Sequence, residues 1–523
     1  MSAASSPFNG VPAALLPAAT AALAHLQQGR GEAAANAFAA LLKHVPDHAG
    51  VLRLAALAER HCHRLPAAVA LLRRAAERAP DDPLVAASLG LSVLAQSPEQ
   101  GLAELRRACE LAPQVAAFWN NLGKALLDQD RVPEAIPALQ QALRRQPDFR
   151  EPRYSLAYAC AVSGEIDAAA QHYRQLLAQR PDDGEAWIGL AQLKSRQLDA
   201  ADLAAMRALL TRTTLHPADR IAMEFACADT LHGQGDYAAA FAAWQRANAG
   251  VRARHPWDAA AFAARADAAL VQRWPLASSA APAHNVLFVV GLPRSGTSIV
   301  EQILACHSEV AAAGESAALG AVLQAEIWRR GGEFPAALAS LDEADWCRLG
   351  AAYLAELSGR LPSRPWVTDK LPGNWLYIGP ILAMLPNARI IACRREPLEA
   401  AFSCYRQRFA GENQGFSYAM ADIGVYWRRF DAAITHWRAR YPQRVFELDY
   451  EALVRTPEPI IRALLAFAGL PFEPACLHPE QNPRAVRTMS AGQVRQPLRP
   501  GSAVTARYGT LLDPLRAALF EGR

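Results

Sequence analysis

The chain has 523 residues, 52% of them hydrophobic and 20% charged, with a formal net charge of +4. A single hydrophobic core stops growing beyond roughly 250–300 residues, so two or more domains are expected, and so small a net charge gives no argument for a nucleic-acid partner, so none is expected. The nine cysteines include no C-x-x-C pair, which favours reduced thiols and a cytoplasmic location over a disulfide framework or a zinc site.

At the N-terminus, "VPAALLPAATAALA" has the apolarity of a signal-peptide core but not its basic leader, since the first Lys or Arg is Arg30. No secretory signal is expected. No run of eighteen apolar residues occurs, so neither a membrane span nor a membrane partner is expected.

From there a repeat takes over. Proline recurs at Pro46, Pro80, Pro113, Pro147 and Pro181, at intervals of 34, 33, 34 and 34 residues. Each stands where a helix must end, because proline cannot donate the next helical hydrogen bond. Between them "AFWNNLGKALLDQDRVPEAIPALQQALRRQP" carries Trp119, Leu122 and Gly123, then Ala135. This W-x-x-L-G…A pattern resembles the tetratricopeptide repeat family over about residues 15 to 196, with a further helical pair at 225–249. The resemblance implies an α-helical superhelix with an extended concave face suited to a protein or peptide partner. The alternative is an array that caps, solubilises or dimerises the C-terminal half, making the chain a homodimer. His61 and His63, flanking Cys62, are too close together to chelate a metal and are read as solvated.

Helical periodicity gives way to a Pro/Ser/Ala-rich stretch at 275–284. The expected division is therefore a helical array with connecting helices over 1–274 and an α/β domain over 285–523. In the second part "NVLFVV", "PWVTDK", "ARIIAC" and "RVFELDY" are strand candidates, each followed by a helix candidate, the pattern of a parallel sheet covered on both faces.

The first of these strands runs into "GLPRSGTS", where Gly291 and Gly296 bound a loop that feeds a helix. Such a P-loop-like turn offers backbone N–H groups and a helix N-terminus to an anion. A nucleoside-triphosphate P-loop would place Lys where this chain has Thr297. Arg294 instead offers a planar cationic fork, and Ser295, Thr297 and Ser298 offer short hydroxyls. Asp369, a strand-end carboxylate of the kind that serves magnesium, is followed at once by Lys370, and no metal is expected. His307, at the end of the loop's helix, is read as structural.

The loop resembles that of sulfotransferases using 3′-phosphoadenosine 5′-phosphosulfate (PAPS), especially the tyrosylprotein branch, over roughly residues 285 to 510. "HSEVAAAGES" resembles the segment with the catalytic glutamate and implies Glu315, 21 residues after Arg294. "TDKLPGNW" implies Lys370 as the catalytic lysine. "RIIACRREPLEAAFS" implies Arg395 and Ser403 at the 3′-phosphate, "ELDYEALVRTPEP" implies Tyr450 near the adenosine, and "TMSAGQVRQPL" implies Ser490 in a late loop. The resemblance thus gives catalytic roles to Glu315, Lys370, Arg294 and Ser490. It gives donor contacts to Pro293, Arg294, Ser295, Gly296, Thr297, Ser298, Arg395, Ser403 and Tyr450. Two departures stand out: Gln407, flanked by Arg406 and Arg408, replaces a family arginine, and only Arg507 approximates a late basic residue. On residue type alone, Glu315 also fits a first-turn helix carboxylate, Lys370 a solvated strand end, Arg294 a surface arginine and Ser490 a plain loop hydroxyl.

The resemblance implies transfer of the sulfuryl group to a hydroxyl, first of all a peptide tyrosine. A glycan or small-molecule hydroxyl remains open, as do a non-catalytic nucleotide-binding scaffold and a divergent P-loop kinase.

Overall fold

A computed structural model describes residues 7–94, 96–129, 131–193, 198–277, 284–358, 361–409, 412–482, 484, 498 and 503–520. The chain divides into two units, Met1–Ser195 and Arg196–Arg523.

In the first unit, helices pack in consecutive pairs: α1 (Leu16–Gln27) with α2 (Gly31–Leu42), α3 (Ala49–His61) with α4 (Leu65–Arg78), α5 (Pro83–Val93) with α6 (Pro98–Leu111), α7 (Ala116–Asp128) with α8 (Val132–Arg145), and α9 (Arg150–Ser163) with α10 (Ile166–Gln179). A further helix, α11 (Gly184–Gln192), packs on α10. Each periodic proline lies just beyond the second helix of a pair. The residues after it start the next one: Asp82 and Asp183 cap α5 and α11, accepting from Leu84 N–H at 2.8 Å and Ala186 N–H at 3.3 Å. Trp119 and Trp187 each donate from the indole nitrogen to the proline carbonyl six residues earlier, both at 2.8 Å. The W-x-x-L-G glycine has a steric cause as well: a Cβ on Gly123 would lie 2.6 Å from the fully buried Leu139 of α8. His61 and His63 are both exposed.

The second unit opens with four helices, α12 (Ala200–Leu210), α13 (Pro217–Gln234), α14 (Tyr237–Arg254) and α15 (Ala259–Val271). The α/β part follows in the order β1 (Asn285–Gly291), α16 (Thr297–Ala305), β2 (Val310–Ala312), α17 (Ala318–Arg330), α18 (Glu343–Ser358), β3 (Trp366–Asp369), α19 (Ile378–Met384), β4 (Arg389–Arg394), α20 (Pro397–Tyr405), α21 (Met420–Arg440), β5 (Val445–Asp449), α22 (Tyr450–Arg455) and α23 (Pro457–Ala468). All strand pairings are parallel, in the order β2-β3-β1-β4-β5. β1 is central and buried from Val286 onward, which explains its unbroken apolar run. Leu287, Val289, Ile391 and Leu448 of the sheet pack with Ile299, Val300 and Ile303 of α16 and Ile461 and Leu464 of α23. β2, at one edge, was not among the expected strands, because three residues carry no readable alternation.

The division also differs from the composition shift at 275–284, which falls inside the second unit. Aromatic packing is the reason. Trp244 of α14 meets Phe402 of α20 edge-on at 5.8 Å, and Phe262 of α15 stacks on Tyr426 of α21 at 5.1 Å. Trp274 lies so close to α19 that a Cβ on Gly379 would be 2.3 Å from its ring. Asn248 donates to the Tyr405 carbonyl at 2.9 Å, and Ala277 N–H to the Leu382 carbonyl at 2.9 Å. Among the described residues no helix is long and apolar enough to cross a membrane.

Candidate active site

Five parallel strands raise five carboxyl ends along one edge of the sheet, the place where ligands bind in such folds. The expected site residues follow those ends strand by strand: Glu315 after β2, Lys370 after β3, the Pro293–Ser298 loop after β1, Arg395 after β4 and Tyr450 after β5.

The loop turns through two left-handed residues, Arg294 at φ 70° and Gly296 at φ 92°. Gly296 is required twice over, since a Cβ there would also lie 2.3 Å from the Tyr450 ring. The loop enters α16 with Thr297 and Ser298 in its first turn, both buried, and the Gly296 carbonyl accepts from the Ile299 and Val300 N–H groups, both at 3.1 Å. The Ser295 hydroxyl is engaged locally, donating to the Leu292 carbonyl at 2.7 Å.

Around the loop the cationic residues cluster. Arg294 Nε donates to Ser403 Oγ at 3.3 Å, and Arg395 donates to the Arg294 carbonyl at 2.9 Å while standing 5.1 Å over the Tyr450 ring. Burial lowers the Arg294 guanidinium below its usual pKa, and the neighbouring Arg395 and Arg406 push in the same direction. Burial raises the adjacent Cys404 thiol to about 12, and its Sγ lies 3.0 Å from the Pro293 carbonyl. Half-buried like charges brought together in this way suit an anionic ligand. Arg406, one of the two arginines beside Gln407, adds to the positive charge acting on Arg294 and lies 4.9 Å over the Trp244 ring of α14. Arg507 is exposed, and Ser490 lies outside the described residues. A cavity of about 1150 Å³ opens beside the loop between β4, β5 and α21, reached by Leu292, Ser295 and Arg395 but not lined by Glu315 or Lys370.

On the other side of the loop, Lys370 Nζ meets Glu315 Oε1 at 2.6 Å. Lys370 is 1% exposed, so it is not a solvated strand end, whereas the Glu315 side chain is 43% exposed and open to an incoming group. Glu315 precedes α17 rather than lying in it. Asp369, fully buried, is raised to about 7, chiefly by desolvation; Tyr353 and Asn374 donate to it at 2.8 and 3.2 Å. His307 is buried against the Pro471 carbonyl at 3.0 Å, with the Glu309 N–H 3.1 Å from Nδ1. Among the described residues no group of three or more His, Cys, Asp or Glu side chains is placed to hold a metal ion.

Comparison with known proteins defines the class. Residues 287–474 match the profile described as Sulfotransferase family, and residues 20–83, 95–148 and 121–184 match that of the tetratricopeptide repeat. The chain thus carries tetratricopeptide repeats followed by a sulfotransferase-family domain. Among relatives, it is 30% identical over 416 residues to an uncharacterized protein of Aquifex aeolicus, an alignment spanning 76% of this chain and about half, 54%, of that protein. It is 25% identical to a putative protein-tyrosine sulfotransferase of Caenorhabditis briggsae, over 37% of this chain and 69% of the relative. It is 24% identical to protein-tyrosine sulfotransferase 1 of Danio rerio, over 38% of this chain and 56% of the relative.

Proposed function

We propose that the chain is a PAPS-dependent sulfotransferase whose acceptor is a hydroxyl, foremost a protein or peptide tyrosine. The observation that carries this reading is the order of groups along the sheet edge: a carboxylate against a buried ammonium at one end, an anion loop carrying Arg294 in the middle, and Arg395 after the next strand, bonded back to that loop.

These residues fit a donor with phosphates at two positions. The loop N–H groups and Arg294 would hold the 5′-phosphate. Arg395, Ser403 and Arg406 would hold the 3′-phosphate, with the Tyr450 ring bounding the nucleoside. Transfer forms a bond between the acceptor oxygen and sulfur and breaks the bond from sulfur to the bridging 5′-phosphate oxygen, releasing adenosine 3′,5′-bisphosphate. Glu315 takes the acceptor's proton, and Lys370, already beside it, neutralises charge that grows on the bridging oxygen. An in-line displacement then needs the acceptor oxygen at Glu315 and the bridging oxygen at Lys370.

Tyrosine is favoured as acceptor because two relatives are named protein-tyrosine sulfotransferases. The repeat array offers a surface of the kind that binds peptides.

The test of the donor site compares nucleotides. Adenosine 3′,5′-bisphosphate is expected to raise the melting temperature well above the shift given by ATP. Losing one charge-assisted hydrogen bond costs about 1.5–3 kcal/mol, so Arg395→Ala should weaken bisphosphate binding roughly ten- to a hundredfold. Equal stabilisation of the unmutated protein by ATP and the bisphosphate would contradict the assignment.

A further inference from the structure

We propose that Glu301 is a positioning residue for the Glu315 and Lys370 pair, fixing both from the helix that begins at the anion loop. The proposal rests on the sulfotransferase reading for the step that the pair performs.

Glu301 lies in the second turn of α16 and is 2% exposed. A carboxylate so deeply buried is costly unless hydrogen-bonded, and here the bonds go to the two segments that carry the reactive groups. Oε1 accepts from the Gly314 N–H at 2.9 Å and from the Thr368 hydroxyl at 3.0 Å. Gly314 immediately precedes Glu315, and Thr368 stands two residues before Lys370. The Gly314 carbonyl in turn accepts from the Lys370 N–H at 2.9 Å. Gly314 is thus held at both its polar groups, at φ 69°, and the side chains of Glu315 and Lys370 leave this clamp to meet at 2.6 Å. Oε2 lies 3.3 Å from Arg484. Because α16 begins directly after the anion loop, Glu301 ties the base and the ammonium to the element that carries that loop.

The oxygen bonded to Gly314 and Thr368 is distinct from the one facing Arg484, and this separates positioning from mere charge pairing. Glu301→Gln keeps an acceptor oxygen for Gly314 and Thr368 and loses the ion pair; Glu301→Leu loses both. In Glu301→Leu, hydrogen exchange at the Gly314 and Lys370 amides should quicken roughly tenfold or more, as expected for one lost hydrogen bond. Transfer from PAPS should fall in kcat roughly 10- to 100-fold, the cost of a small misplacement. The dissociation constant for adenosine 3′,5′-bisphosphate should stay within about twofold, and Glu301→Gln should restore most of the exchange protection and rate. If Glu301→Leu does not fold, Thr368→Val, which deletes one of the two donors and keeps the shape, should show the same pattern at smaller amplitude. Unchanged exchange at these two amides, an unchanged kcat in a folded Glu301→Leu protein, or equal losses in the Gln and Leu variants would overturn the proposal. Absence of any transfer by the unmutated protein would count against the sulfotransferase reading alone, because amide exchange reads the clamp without turnover.

Discussion

Glu315→Gln is expected to lower kcat for sulfuryl transfer by about 10²–10⁴, the range that general acid–base catalysis contributes. The amide keeps the size of the side chain and an oxygen for Lys370, whose Nζ lies 2.6 Å from Oε1, but it cannot take a proton from an acceptor hydroxyl. Donor affinity should hardly change, since the carboxylate stands at the β2 end of the sheet, across the loop from Arg395. Arg294→Ala is the contrasting variant. Its side chain reaches Ser403 from within the loop, so its loss should weaken donor binding as well as turnover. Near-normal kcat in Glu315→Gln, with donor bound normally, would remove Glu315 from the role of base.

Truncation is expected to have a large effect on stability. A fragment beginning at His284 keeps the whole sheet but loses α12 to α15 and Trp274. It uncovers Phe402, Tyr426 and the packing around Gly379. Full burial of one large apolar side chain is worth about 1.5–3 kcal/mol, and removing several such partners approaches the whole stability of a domain, about 5–15 kcal/mol. That fragment should not give a cooperative melting transition. A fragment beginning at Leu198 retains these contacts and should melt cooperatively and bind adenosine 3′,5′-bisphosphate. If the repeats recognise the acceptor, this fragment should show a raised KM for a protein acceptor at little-changed kcat, the mark of lost uniform binding. Cooperative folding and donor binding by the fragment from His284 would show the helices to be dispensable.

The periodic prolines and the glycine-bounded loop were legible because each answers a local backbone demand: helix ends that proline enforces, and a left-handed turn at Gly296 against the Tyr450 ring. What escaped depends on tertiary packing. β2 is three residues long at the sheet edge. The helices from Ala200 to Val271 read in sequence as a continuation of the helical array, and the partners of Trp244, Phe262 and Trp274 show that they belong with the sheet. Glu301 reads in sequence as an ordinary helix carboxylate, and its burial shows only once α16 is packed under Gly314 and Thr368. The packing of Arg406 over the Trp244 ring is likewise a tertiary fact that its place beside Gln407 does not reveal.

The central claim is tested most directly by incubating the full-length protein with PAPS carrying a radiolabelled sulfuryl group and a lysate of the organism that encodes it. The account predicts label in protein, released as sulfated tyrosine on hydrolysis, with adenosine 3′,5′-bisphosphate formed in equal amount and transfer abolished in Glu315→Gln. Binding of the bisphosphate without transfer to any macromolecule or small hydroxyl compound, or magnesium-dependent transfer of the γ-phosphate of ATP in its place, would contradict it.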